Sequence, residues 1–367
     1  MARNMIDYST RLLKLISNGV AVPNIEKMRI FVDPINLDAE KETFKNLEIL
    51  NFNYIVHDVK VVSFNANDKK YILLTNCKGH LERSMSIISD LSDRFIHEAS
   101  LTTGMLMALV IDSGLKPNPL LSEDVVVENL LSQHDSDDYK GHELDDLLYG
   151  VESLSVFEIG KNSAFYDNSH LEIGYYIYSS FDWLIHLPLK ELIERARGIF
   201  ISTSKIPKDN LFLFLTSIHW KHAYLELYRC IEGLYSIPRA IALKEKLNLD
   251  IKASEIAMHC SKELGWRRKE EESLYQLFNL MSLDSIKGTG IDKVSFMRDL
   301  LSEAEKEHSH AKVCETLAKR IYKIRNQLVH QGVSDSINVL DEDWPILMTF
   351  LMNMMLVSFE SYDLEID

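Results

Sequence analysis

The chain has 367 residues, of which 46% are hydrophobic and 26% charged, and a formal net charge of −15. That length can bury a sizeable core and points to two domains, while the composition excludes collagen-like, low-complexity and disordered classes. The acidic balance excludes a general nucleic-acid coat protein, and the four scattered cysteines form no CxxC pair, which excludes a zinc ribbon and suits a reducing, cytoplasmic setting.

At the start, "MARNMIDYSTRLLKLISNGV" lacks the apolar core and cleavage site of a secretory signal. "MRIFV" (28–32) reads as a short strand. "KVVSF" and "YILLT" flank "NANDKK", which has the composition of a hairpin loop. Leu81, Met85, Ile88, Leu91 and Phe95 recur at the spacing of an amphipathic helix. The apolar run "GMLMALVI" (104–111) is too short to span a bilayer, so no membrane association is expected.

"SQHDSDDYKGHELDD" (132–146) is acidic and aperiodic. A calcium loop counted from Asp135 would need glycine where Lys140 stands, with Gly141 one place late, so a solvated loop is expected. "SLSVFEIG" and "LEIGYYIYS" read as strands around the polar "KNSAFYDNSH". Together these signals predict an α+β domain over residues 1–204, which also holds most of the acidic excess.

Strand signals disappear after about residue 204, and "STSKIPKDN" (202–210) marks the expected boundary. Trp220, Tyr224, Leu227, Tyr228, Ile231, Leu234 and Tyr235 share one helical stripe, the mark of a core face. Further helices fit "ASEIAMHCSKELG", "RKEEESLYQLFNLM" and a long span from about Lys293 to Gln331, broken near "HSH". The last helix is "WPILMTFLMNMMLVSFESY", opened by "DEDWP", whose acids and early proline suit a helix N-terminus. The second half, 205–367, is thus predicted to be an all-α bundle.

On an ideal helix through "LAKRIYKIRNQLVH", Leu317, Ile321, Ile324 and Leu328 form an apolar seam. Lys319, Lys323, Asn326 and His330 gather on nearly the opposite side. Gly332 is a natural residue to end this helix, which places His330 in the last turn, where the helix dipole favours a protonated ring. Arg325 lies well round the helix from His330, so one helix does not aim both at one spot. Two copies packed about a two-fold axis can bring both pairs into one cleft, an arrangement that the spacing permits without requiring. A purely structural role, with Arg325 paired to Glu232 or Glu315 and His330 as a cap, is the competing reading.

"YKIRNQLVHQG" at the end of a helix in a C-terminal bundle resembles the R-x4–6-H signature of HEPN domains, with Arg325, Asn326 and His330 as the matching residues. "LELYRCIEGLY" and "WPILMTFLMNMM" are also similar to that family, and the likeness covers about 205–360. It implies a metal-independent, homodimeric endoribonuclease of the toxin or abortive-infection type, with Arg325, Asn326 and His330 catalytic. Lys319, Lys323 and Tyr322 would contact RNA, and no cofactor is expected. It further implies a phage-derived trigger or an antitoxin as partner, and some members serve only as dimerisation or binding modules. In some of these toxins an antitoxin modifies a tyrosine just after the histidine. Here Gln331 and Gly332 follow instead, a departure that leaves this control without its target.

Other constellations are thinner. His222 and Glu226 have a spacing a metal could use, with His219 nearby, but no further ligand can be named. "EHSHAK" (307–312) is a solvated charged segment, and "IHEAS" (96–100) lacks the second histidine of a zinc-protease helix. Neither a Gly-rich phosphate loop nor GxSxG occurs.

Overall fold

The computed structural model describes residues 3–56, 58–77, 85–134, 139–180, 190–264, 269–298, 309–330 and 338–366. Its contacts divide the chain into two compact units, Met1–Asp182 and Trp183–Asp367. The division falls ahead of the expected 202–210, because Lys190–Phe200 is a helix of the second unit: Phe200 packs on Phe212, with ring centroids 6.5 Å apart.

The first unit is α+β. Its helices are α1 (Met5–Ile16), α2 (Leu37–Asn46), α3 (Met85–Asp93), α4 (Thr103–Ser113), α5 (Glu123–His134), α6 (Leu144–Gly150) and α7 (His170–Tyr178). Its strands are β1 (Glu48–Val56), β2 (Val59–Ala66), β3 (Lys69–Thr75), β4 (Ile96–Glu98) and β5 (Leu154–Ile159). They form one sheet of order β1-β2-β3-β5-β4, with every neighbouring pair antiparallel.

The expected hairpin is β2–β3. Ala66 pairs with Lys69 across a two-residue loop, and both Asn67 (φ 50) and Asp68 (φ 59) are left-handed. Such a loop matches the twist of the strands and favours glycine at its second position. Asp68→Gly is therefore expected to raise stability by about 0.5 kcal/mol, seen as a higher urea midpoint with unchanged slope.

Val62, Phe64 and Ala66 of β2 join the core built on α1 and α4. Val61, on the opposite face, meets α7: a Cβ on Gly174 would lie 2.5 Å from Val61 Cγ2. Helices thus cover both faces of the sheet, which explains why β2 and β3 are buried almost without alternation.

Three local expectations need correction. "LEIGYYIYS" is the helix α7, not a strand. Ser169 Oγ accepts from the Glu172 N–H at 3.2 Å, and Glu172 Oε2 accepts from the Ser169 N–H at 3.2 Å, a capping box that starts the helix. "MRIFV" forms no strand; only Ile30 makes an isolated bridge, to His142, before Asp33 and Pro34 turn the chain away. The helix expected over 81–95 is described only as α3, with residues 78–84 outside the described set. It ends at Asp93, and Phe95 is left-handed (φ 57) on the way into β4.

Within the acidic stretch 132–146, residues 135–138 lie outside the described set. The remainder includes the end of α5 and the start of α6, which Glu143 and Asp146 cap.

The second unit is helical, with no strand among its described residues. It comprises α8 (Lys190–Phe200), α9 (Lys208–Thr216), α10 (Trp220–Glu232), α11 (Ile237–Leu247), α12 (Ala253–Leu264), α13 (Glu270–Phe278), α14 (Leu283–Gly288), α15 (His310–Val329) and α16 (Asp343–Ser361). The aromatic stripe of α10 is core: Tyr224, Leu227, Tyr228 and Ile231 are buried, and Tyr224 packs edge-on to Trp344 of α16 at 5.7 Å. Asp343 starts α16 as the sequence suggests. Its buried carboxylate accepts from Ser295 Oγ at 2.9 Å and from the Leu340 N–H at 3.2 Å.

Of the span expected from Lys293 to Gln331, the start is not helical as expected, while the break expected near "HSH" coincides with the start of α15. Lys293 closes a 3-10 turn, residues 299–308 lie outside the described set, and α15 opens at His310, where Ser309 Oγ accepts from the Lys312 N–H at 3.3 Å. Among the described residues, no helix is long and apolar enough to cross a membrane.

Candidate functional site

The helix α15 carries the residues singled out in the sequence. Leu317, Ala318, Ile321 and Ile324 bury its apolar seam, and Leu328 is half-buried. Tyr224 Oη donates to the Ile321 carbonyl at 3.1 Å, pinning α15 to α10. Because that carbonyl belongs to the helix interior, the bond fixes the rotation of α15 as well as its position.

Arg325 is engaged on several sides. Its Nη2 donates to Glu232 Oε1 at 3.2 Å, its Nε lies 3.8 Å from Glu270 Oε2, and its guanidinium sits 5.9 Å from the centre of the Tyr228 ring. Nη1 donates to Asn326 Oδ1 at 3.0 Å. Burial opposes the charge, but Glu270 and Glu232 outweigh it and hold the guanidinium above its ordinary pKa. Tyr228 and Tyr235, edge-on at 6.2 Å, complete the cluster, and burial beside the same carboxylates raises both phenols.

His330 is exposed at the C-terminal cap of α15. Its backbone N–H donates to the Asn326 carbonyl at 2.8 Å, and the chain there leaves helical geometry (φ −110, ψ 87). Asn326 therefore touches both neighbours, Arg325 through its side chain and His330 through its backbone. Within one chain no direct contact joins the guanidinium to the imidazole among the described residues.

Of the three residues expected to hold RNA, Lys319 is exposed and tied to Glu315 at 2.6 Å, a pairing that raises the lysine and lowers the carboxyl. Glu315 is thus the partner of Lys319 rather than of Arg325. Tyr322 and Lys323 are half-buried and make no ion pair among the described residues. Gln331 and Gly332 lie outside the described set.

Glu270 is the member of the cluster that sequence reasoning missed. It opens α13, far from Arg325 in sequence, and its only signal was the acidic run Glu270–Glu272 at a helix start.

The thinner constellations hold other roles. His219 caps α10, its Nδ1 accepting from the Lys221 N–H at 3.2 Å, while Glu226 accepts from Asn210 Nδ2 at 2.9 Å. No cluster able to hold a metal ion occurs among the described residues. Cys314 Sγ lies 3.4 Å from His310 Nε2, but burial pushes the thiol up to about 11, so the pair supplies no thiolate near neutral pH.

No protein-family model, curated protein or solved structure matches the chain.

Proposed function

We propose that the helical unit is a HEPN-type endoribonuclease acting as a homodimer, with His330 and Arg325 as its reacting pair and Asn326 between them. The observation that carries this reading is an exposed imidazole at the end of α15, linked through Asn326 to a charged guanidinium. In the reaction the ribose 2′-oxygen bonds to the adjacent phosphorus as the bond to the 5′-oxygen breaks. The 2′-OH gives up a proton and the departing 5′-oxygen takes one, transfers that an imidazole serves. Arg325 holds the charge that builds on the phosphoryl oxygens, and Lys319, Lys323 and Tyr322 track the strand.

The biological role that follows is a cytoplasmic toxin or antiphage effector, in which the acidic α+β unit senses a trigger and repels RNA until it arrives. The test is induced expression followed by sequencing of cleaved RNA ends. Cleavage should leave 2′,3′-cyclic phosphate and 5′-hydroxyl ends and persist in EDTA. Ends of the opposite polarity, or loss of cleavage on chelation, would discard the mechanism.

A second reading has one specific observation in its favour. The guanidinium already has two carboxylates and an amide around it, so it serves the fold whether or not RNA is cut. On that reading the helical unit is a catalytically inactive dimerisation or binding module, and cells expressing His330→Ala would behave as wild type.

A further inference from the structure

The first unit contains a cleft of about 990 Å³ that none of the residues above uses. Its lining includes the apolar Leu101, Val151, Leu154 and Val156, with polar Asn76, Ser100 and Ser153 among them. Leu148 and Tyr149 of α6 form one wall, and Leu120 forms a lip that is 89% exposed. The lip is fixed in place. Asn118 Nδ2 donates to the Tyr149 carbonyl at 3.1 Å, and Asn118 Oδ1 accepts from the Leu120 N–H at 3.0 Å.

Three carboxylates line the same cleft from three separate elements: Asp58 in the β1–β2 turn, Glu98 on the edge strand β4, and Asp145 on α6. None makes an ion pair or side-chain hydrogen bond among the described residues, and no described Lys, Arg or His lines the cleft. Among the described residues the cleft thus combines apolar side chains with three carboxylates and no cation.

We infer that this cleft docks an extended peptide segment of a partner protein, with an apolar residue seated against Leu120, Leu148 and Tyr149 and flanking Lys or Arg residues facing Asp58, Glu98 and Asp145. Charge complementarity selects the occupant. Carboxylates carried on three elements call for several cations on one chain, and the apolar side chains lining the same cleft call for an anchor side chain on that chain. A polyamine supplies the cations without the anchor, and an acidic or nucleic-acid partner is repelled. Such docking is independent of RNA cleavage by the helical unit.

The test is selection of a random heptapeptide display library on the immobilised full-length chain, with fluorescence polarisation of the enriched peptides. Enriched sequences should carry at least two Lys or Arg residues around one large apolar residue. Their affinity should fall about fivefold for the doubly substituted chain Glu98→Gln with Asp145→Asn, and about threefold for Leu120→Gln. Binding should also weaken as salt rises. These side chains are on the surface, so unfolding midpoints should match wild type and affinities can be compared directly. Failure to enrich any sequence, enrichment of acidic or uncharged peptides, or equal affinity for the doubly substituted chain overturns the assignment. Displacement by spermidine as effectively as by unlabelled peptide overturns it too, because the apolar side chains would then be idle.

Discussion

His330→Ala is expected to slow RNA cleavage by about 10²–10⁴-fold while shifting the unfolding free energy by no more than about 0.5 kcal/mol. The two halves of that expectation come from different features. The ring is exposed, and the bond that ties this residue to the helix runs from its backbone N–H to the Asn326 carbonyl, which alanine retains. Truncation therefore removes a proton-transfer group and almost no packing. A matched pair of measurements, urea unfolding and cleavage of labelled RNA, separates chemistry from folding. If the variant cleaves at the wild-type rate, His330 is only the end of a helix and the ribonuclease reading fails.

How much of this was legible in the sequence differs between the units. In the helical unit the aromatic stripe faces the core, so Tyr224, Leu227, Tyr228 and Ile231 announce α10 by spacing alone. The start of α16 was legible for a related reason: Asp343 and Pro345 sit where unsatisfied N–H groups favour acids and tolerate a missing donor. The α+β unit hides its elements because α7 is buried nearly all round. "LEIGYYIYS" thus shows no helical period, and only Ser169 followed by Glu172 betrays the start. At the site, the helix and the exposed end at His330 could be read from α15 itself. The partnership of Arg325 with Glu232 was one of two structural pairings the sequence offered, while Glu270 could not be foreseen. It depends on α13 packing beside α15, a tertiary fact that no local pattern encodes.

That packing also sets the second large effect. Arg325→Ala is expected to destabilise the helical unit by about 2–3 kcal/mol as well as to abolish cleavage. Glu232 and Glu270, each 29% exposed, would be left beside Tyr228 with no guanidinium between them. The full penalty of breaking a deeply buried pair does not apply, because water still reaches both side chains. Converting those carboxylates to amides in the same chain, Arg325→Ala with Glu232→Gln and Glu270→Gln, removes the repulsion and should restore at least half of the lost stability. Cleavage then discriminates between two jobs for the same guanidinium. If Arg325 holds charge on the phosphoryl group, the restabilised chain remains inactive, and Arg325→Lys, which keeps the charge but loses the planar fork, recovers little. If the guanidinium only holds α10, α13 and α15 together, activity returns in step with the melting transition, and Arg325 leaves the proposed mechanism.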